Sequence, residues 1–149
     1  MLTAAMTPGQ SKNDLVGTWK LVSYRATRPN GERVAPYGEH PIGFITYTSD
    51  GRMFVILGRS GRPPLSGDRF SASEAERAAA FSASLSYAGR YTFDGAKVVH
   101  HVDIATLQNY AGTDQVRFAK LEGNRLTLRA TVPMAGEQRT SELVWERLK

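Results

Sequence analysis

One hairpin, residues 89–104, constrains the fold of this chain more than any other stretch. At its centre, Asp94-Gly95 is a strong signal for a two-residue turn of type I′, because both central residues of that turn need a positive φ. This turn places Phe93 opposite Ala96 and so sets the register of the two strands. Successive side chains of a strand point to opposite faces. One face is therefore apolar except for a phenol and an imidazole, and it comprises Tyr91, Phe93, Ala96, Val98, His100, Val102 and Ile104.

The same register pairs Tyr91 with Val98 and Gly89 with His100 across the hairpin. Tyr91 and His100 then lie close together on the inward face, while His101 points outward. Polar groups on an otherwise apolar face need a hydrogen-bond partner, and a bound ligand is one such partner. The hairpin therefore predicts a half-buried strand pair that lines a binding cavity.

Six further segments are predicted to be strands, because β-branched and aromatic residues alternate between clusters of turn residues. They are residues 15–24, 44–48, 53–57, 114–121, 125–132 and 140–148. The turn at residues 49–52 pairs Thr48 with Met53. Both faces of these two strands are apolar, so periodicity leaves open which face is interior. Later in the chain, Leu121 pairs with Leu126.

A capping box formed by Ser73 and Glu76 opens the one predicted helix, about 12 residues long. Its small side chains recur at helical spacing and suit close packing on a sheet. They are Ala75, Ala78, Ala79 and Ser82, followed by Leu85. The helix is inserted between the third and fourth strands, and we expect it to cover the outer face of residues 44–57.

Eight strands joined mostly by short connections predict an all-β fold, an eight-stranded antiparallel up-and-down barrel. A barrel of eight strands either fills its interior with side chains or holds one small ligand. Closure also removes exposed sheet edges, whereas the competing architecture, an open sandwich, retains them. The barrel domain is expected to span residues 14–149, after a disordered leader at residues 1–13.

The composition is that of an ordinary globular domain, with 149 residues, 41% apolar, 22% charged and no cysteine. The lack of cysteine excludes disulfides and thiolate nucleophiles. The net charge of +5 is scattered along the chain, so no nucleic-acid partner is expected. No signal peptide and no run of about 20 apolar residues is present, which predicts a cytoplasmic monomer or homodimer without a membrane partner.

No metal site and no cofactor is predicted. The neighbours His100 and His101 point to opposite faces of one strand and cannot share an ion. Haem ligation by an inward-facing histidine stays open as an alternative.

Several runs, taken in order, resemble the bacterial and fungal lipocalin-like domain family. Gly17-Thr18-Trp19 matches the Gly-x-Trp signature at the start of such barrels, and later runs are GFITYTSDG at 43–51, GRPP at 61–64, YAGRY at 87–91, GTDQVR at 112–117 and LVWER at 143–147. The resemblance covers residues 14–148. It implies a barrel more firmly than an activity, since members mostly lack an assigned function and often sit beside genes of secondary metabolism. It also implies that Trp19 closes one end of the barrel, with Arg147 over its ring.

The candidate ligand-binding residues are the polar and aromatic groups on inward faces or at the rim. Arg117 lies among leucines, so it must meet a carboxylate, a ring, water or an anionic ligand oxygen. Tyrosine and asparagine at a barrel rim combine an apolar body with polar tips, which is typical of small-molecule sites. The full set is Tyr87, Tyr91, His100, Asn109, Tyr110, Gln115, Arg117 and Trp145.

We expect this set to bind a small, mainly apolar ligand carrying an anionic or carbonyl oxygen, held by Arg117 and oriented by His100 and Tyr91. The alternative is a cofactor-independent isomerase or cyclase of secondary metabolism, in which the same three residues are catalytic. Both functions need the same pocket, so the sequence does not separate them. A third possibility is an interaction module with a filled core and no cavity.

Overall fold

The computed structural model describes residues 10–149, and residues 1–9 are not described. Its elements are α1 (Lys12–Leu15), β1 (Gly17–Thr27), β2 (Arg33–Val34), β3 (Ile42–Tyr47), β4 (Arg52–Gly58), α2 (Glu74–Ser82), β5 (Ser84–Phe93), β6 (Lys97–Ala105), a 3₁₀ turn (Gln108–Tyr110), β7 (Asp114–Glu122), β8 (Arg125–Met134) and β9 (Glu137–Arg147). Neighbouring strands are antiparallel, and β9 returns to pair with β1. The eight longer strands therefore close into the predicted antiparallel barrel.

The predicted place of the helix is wrong by strand count, because α2 follows β4 and precedes β5. The additional strand is β2, two residues long, which pairs with the far end of β1 inside a segment predicted to be a connection. The capping box at Ser73 and Glu76 is present as predicted. Both α-helices of the described residues, four and nine residues long, fall well short of an apolar membrane-crossing helix.

α2 does not cover the outer face of β3 and β4. None of its residues is buried, whereas Phe44, Phe54 and Ile56 on that outer face are 39%, 55% and 60% exposed. Ala79 and Ala80 of α2 instead border a recess of about 740 Å³ between the helix and the loop at residues 59–65. The predicted packing of this helix on the sheet is therefore wrong.

One end of the barrel is closed by α1. Leu15 and Trp19 are fully buried, and the Trp19 indole N–H donates to the Leu15 carbonyl at 3.0 Å. Of the residues expected to form a leader, 1–9 lie outside the described residues, while Ser11 caps α1. The Gln10 side chain donates to the carbonyls of Gly95 and Ala119.

The β3–β4 register differs from the predicted one by a single residue. Tyr47, rather than Thr48, pairs with Met53, because Thr48 belongs to the turn, where its amide N–H donates to the Arg52 carbonyl. A shift of one residue moves a strand's side chains to its other face. Tyr47 and Ile45 consequently point inward, and Phe44 points outward.

The β5–β6 hairpin turns one residue later than predicted. Gly95 has a φ of 97°, whereas Asp94 has no positive φ, and Asp94 accepts from the amides of Ala96 and Lys97 instead. The pairing moves by two residues, so Tyr91 lies opposite His100 rather than Val98. A two-residue shift leaves the faces unchanged, and His100 still points inward.

A bulge at Gly89 changes the pairing in the part of the same hairpin that lies farther from the turn. The pairing jumps from Ala88–Ile104 to Gly89–Val102, and a Cβ at Gly89 would lie 1.9 Å from the His101 carbonyl oxygen. Beyond the bulge Ile104 is 67% exposed, which makes its predicted inward position wrong. Because the bulge follows His101, it does not exchange the two histidines.

Strand β7 pairs with β8 along only part of its length. Pairing between β7 and β8 begins at Phe118, so residues 114–117 lie beside β6 alone. The predicted pair of Leu121 with Leu126 is present below this point. The split exposes the inward face of β7 at Gln115 and Arg117, which are only partly buried.

Candidate functional site

His100 occupies the middle of the barrel interior and is 1% exposed. Its Nε2 lies 2.7 Å from the Tyr47 hydroxyl, and its Nδ1 lies 2.7 Å from the Tyr87 hydroxyl. Tyr47 comes from β3, on the side of the closed end, and Tyr87 comes from β5, toward the open end. The three side chains form a polar chain that crosses an otherwise apolar core.

Burial and the neighbouring charge keep all three of these hydrogen-bonded side chains uncharged near neutral pH. Burial lowers the pKa of His100 to about 3, with a further lowering from the positive charge of Arg117. Burial also raises the pKa of Tyr87 to about 12, although Arg117 opposes that shift. The pKa of Tyr47 is raised well above its usual value, again mainly by burial. These phenols and this imidazole therefore act as hydrogen-bonding groups rather than as charges.

Arg117 supplies a positive charge beside these three hydrogen-bonded side chains. Its guanidinium donates to the Val116 carbonyl at 3.0 Å and, at 3.4 Å, to the side-chain oxygen of Gln115. No carboxylate within residues 10–149 forms an ion pair with it. Two nearby strands carry the carboxylates Asp103 and Glu142, but Asp103 pairs with Arg52 and Glu142 pairs with Arg33 and Arg129. Within the described residues, the guanidinium of Arg117 therefore bonds to neutral oxygens and to no carboxylate.

Tyrosine rings surround the open end above Arg117. The rings of Tyr24 and Tyr37 lie 5.1 Å apart, and those of Tyr87 and Tyr110 lie 5.7 Å apart in an edge-to-face arrangement. Burial raises the pKa of Tyr24, the neighbouring phenols raise it further, and the positive charge of Arg117 opposes this shift. Tyr24, Tyr37, Tyr87, Tyr110 and Arg117 are therefore electrostatic neighbours at this end of the barrel.

Tyr91 lies opposite His100 but does not hydrogen-bond to it. Its hydroxyl donates to the Thr48 carbonyl at 2.7 Å, and its ring packs edge-on against Tyr47 with centroids 4.8 Å apart. Lys12 of α1 covers the ring at 5.4 Å. The structure thus places Tyr91 at the closed end, away from the tyrosines of the mouth.

The remaining predicted residues fall into different surroundings. Gln115 lies opposite His100 and donates to the Thr113 hydroxyl at 2.8 Å. Asn109 is exposed on the 3₁₀ turn, next to the half-buried Tyr110. Trp145 is fully buried, and its indole N–H has no hydrogen-bond partner within the described residues.

The outward-facing His101 is held between two neighbours. Its Nδ1 lies 2.8 Å from an Asp114 carboxylate oxygen, and its Nε2 lies 3.1 Å from the Thr92 hydroxyl. His100, for its part, has both ring nitrogens engaged by tyrosines. A haem iron would have to displace one of these phenols, so the residues present do not fit haem ligation.

Sequence reasoning missed three tyrosines of the site. Tyr47 lies on a strand whose interior face the sequence left open, and Tyr37 lies between the predicted strands at residues 15–24 and 44–48. Tyr24 points inward because a bulge between Leu21 and Ser23 reverses the alternation along β1. The one sequence feature that pointed to these residues is the number of tyrosines in the chain, which is six. In the structure, four of the six cluster at the mouth.

Two comparisons with known proteins bear on this site. A family model of the lipocalin-like domain matches residues 16–148. The chain is also similar to the 4'-hydroxy-3'-methoxypropiophenone carrier protein of Aspergillus oryzae, with 31% identity over 101 residues, covering 60% of this chain and 91% of the fungal protein. The family match includes every strand and every residue of the site.

Proposed function

Because this chain belongs to the lipocalin-like domain family, we propose that its barrel binds a small, mainly apolar molecule through a carbonyl or anionic oxygen. The observation that carries the proposal is Arg117, a cation with no carboxylate partner in the described residues, set on the inner face beside Tyr87. Arg117 meets only two neutral oxygens, one of them at 3.4 Å, and a half-buried cation gains a stronger, charge-assisted hydrogen bond from a further acceptor. A ligand oxygen is the partner that completes the site.

The surroundings of Arg117 define the rest of the ligand. Leu21, Val102 and Leu128 belong to the apolar core and are almost completely buried. The phenol rings at the mouth offer flat apolar surfaces with polar edges, which suit an aromatic ligand. The fungal relative is named as the carrier of an aryl ketone, a molecule with this combination of a ring and a carbonyl group. We therefore take an aryl ketone as the ligand class to test first.

The low basicity of His100 favours binding over catalysis. A general base works best with a pKa near the operating pH, whereas burial holds the pKa of His100 at about 3. A cofactor-independent isomerase or cyclase would need this imidazole to take up a proton from its substrate. The carrier function needs only its hydrogen bonds.

The experiment is calorimetric titration with 4'-hydroxy-3'-methoxypropiophenone. Replacing Arg117 with Met keeps much of the apolar stem and removes the charge, and we expect binding to weaken by about 10- to 100-fold, as loss of a charged hydrogen bond does. Arg90→Met is the matched control, because Arg90 is exposed on the outer face of β5. Equal affinities for the wild type and Arg117→Met would contradict the proposal, and turnover of the ketone would favour the enzyme instead.

A further inference from the structure

We propose that Tyr47 and His100 fix the direction of the hydrogen bonds at this site, so that the Tyr87 hydroxyl is left as a donor that selects a ligand with a carbonyl oxygen. The inference rests on the proposed function and deepens it, because it assigns a specificity-determining role to two residues that the ligand need not touch. It starts from the two contacts of His100, to Tyr47 and to Tyr87, both 2.7 Å long.

A neutral imidazole has one donor nitrogen and one acceptor nitrogen. One of its two tyrosine partners must therefore donate to the ring, and the other must accept from it. Either Tyr47 donates to Nε2 and Nδ1–H donates to Tyr87, or both bonds run in the opposite direction. The atoms lie in the same places in both arrangements, so the hydrogen-bonding needs of the tyrosines decide between them.

Burial decides in favour of the first arrangement. Tyr47 is 1% exposed, and His100 is its one hydrogen-bond partner within residues 10–149. If Nε2–H donated to Tyr47, the Tyr47 hydroxyl proton would be buried without an acceptor, which is costly. Tyr47 therefore donates to Nε2, and the proton of the His100 ring sits on Nδ1.

This tautomer of His100 determines the hydrogen-bonding role of the Tyr87 hydroxyl. Its oxygen accepts from Nδ1–H of His100, which leaves its own O–H to donate elsewhere. The neighbouring Arg117 is no acceptor, because a guanidinium only donates. Tyr87 is 8% exposed and lies on the side of the mouth, next to the ring of Tyr110. Tyr87 is thus the less buried of the two tyrosines that bond to His100, and its O–H is the donor that a ligand entering from the mouth can meet.

The Arg117 guanidinium lies beside the Tyr87 phenol, so the Tyr87 O–H and the Arg117 N–H groups are two donors available to the same ligand oxygen. A carbonyl oxygen has two lone pairs and no proton, so it satisfies both donors at once. An apolar substituent in that place leaves the Tyr87 O–H without a partner, and it leaves the Arg117 guanidinium with only the neutral oxygens of Val116 and Gln115. The site is expected to prefer the ketone to 2-methoxy-4-propylphenol, which has the same ring and chain but lacks the carbonyl oxygen.

The direct test is the tautomer of His100 in the ligand-free protein, read from the ¹⁵N chemical shifts of both ring nitrogens after labelling histidine. We expect a protonated Nδ1 and an unprotonated Nε2. His40→Gln and His101→Gln identify the signals of the two histidines outside the barrel. An Nε2–H tautomer would overturn the proposed direction, whatever ligand the protein binds.

The second test compares two tyrosine variants. Tyr47→Phe removes the donor to Nε2, and we expect His100 to populate both of its neutral tautomers. Binding of the ketone should become about tenfold weaker, whereas binding of 2-methoxy-4-propylphenol should be unchanged. Tyr91→Phe is the matched control, because its hydroxyl bonds to the Thr48 carbonyl and should leave both readouts unchanged. Equal affinity of the wild type for the two ligands would overturn the carbonyl preference, and failure of both ligands to bind would count against the proposed function instead.

Discussion

The guanidinium of Arg147 lies over the indole ring of Trp19, with its central carbon 4.2 Å from the ring centroid. The same group donates to the carbonyls of Val16 at 2.7 Å and Asp14 at 2.5 Å. A Cβ at Gly17 would lie 2.9 Å from the guanidinium, so glycine at this position leaves room for it. One arginine from the last strand thus holds α1 against the closed end of the barrel.

Loss of Arg147 should therefore destabilise the fold rather than the mouth. Arg147→Met removes two charged hydrogen bonds and the cation–π contact, and we expect the free energy of unfolding to fall by about 2–4 kcal/mol. Urea denaturation measures this change, and Arg129→Met, on the outer wall, is the control. A loss below about 0.5 kcal/mol would mean that α1 is held by other contacts.

The two tryptophans should respond differently to replacement by phenylalanine. Both are fully buried, but the N–H of Trp19 donates to Leu15, whereas the N–H of Trp145 has no partner within the described residues. Removing an unpartnered donor costs no hydrogen bond. We expect Trp145→Phe to destabilise the protein by about 1–2 kcal/mol less than Trp19→Phe in the same denaturation experiment. Equal losses would indicate that Trp145 has a partner, such as a buried water.

Stability should decrease as the pH falls below the ordinary pKa of histidine. The pKa of His100 is about 3 in the folded protein and about 6.5 in an unfolded chain. Between these values the unfolded state binds the extra proton, so acid favours unfolding. We expect a loss of about 2 kcal/mol from this group between pH 7 and pH 5, measured by denaturation at each pH.

His100→Gln should remove this part of the pH dependence, because glutamine does not titrate. His101→Gln provides the comparison, since it changes a histidine on the outer face of the same strand. A wild-type protein with equal stability at pH 5 and pH 7 would show that His100 is not held neutral by the fold.

Gly89 should tolerate no side chain. The Cβ of an alanine there would lie 1.9 Å from the His101 carbonyl oxygen, within the bulge between β5 and β6. We expect Gly89→Ala to cost about 3 kcal/mol or more. Gly61→Ala, whose Cβ would meet no atom within 4 Å but which has a φ of 68°, should cost about 1 kcal/mol by backbone strain alone. Thermal unfolding of the two variants separates these costs, and similar melting temperatures would contradict the steric explanation.

Sequence alone was sufficient for the barrel and for the inward direction of His100 and Arg117. Alternation along a strand is a local property, and it survives an error in pairing when the error is an even number of residues. The β5–β6 turn was misplaced by one residue, yet the faces of both strands stayed correct for this reason. The pair of Leu121 with Leu126 followed from a turn whose residues left one choice.

Tertiary structure decided which polar groups meet. The partners of His100 come from β3 and β5, and the sequence left open which face of β3 is interior, and so whether Tyr47 reaches His100. Bulges at Gly89 and between Leu21 and Ser23 reversed the alternation for Ile104 and Tyr24, and the split between β7 and β8 exposed Arg117. The type of fold is encoded in repeated local patterns, whereas the hydrogen-bonded chain depends on single-residue offsets between strands distant in sequence, which no local pattern specifies.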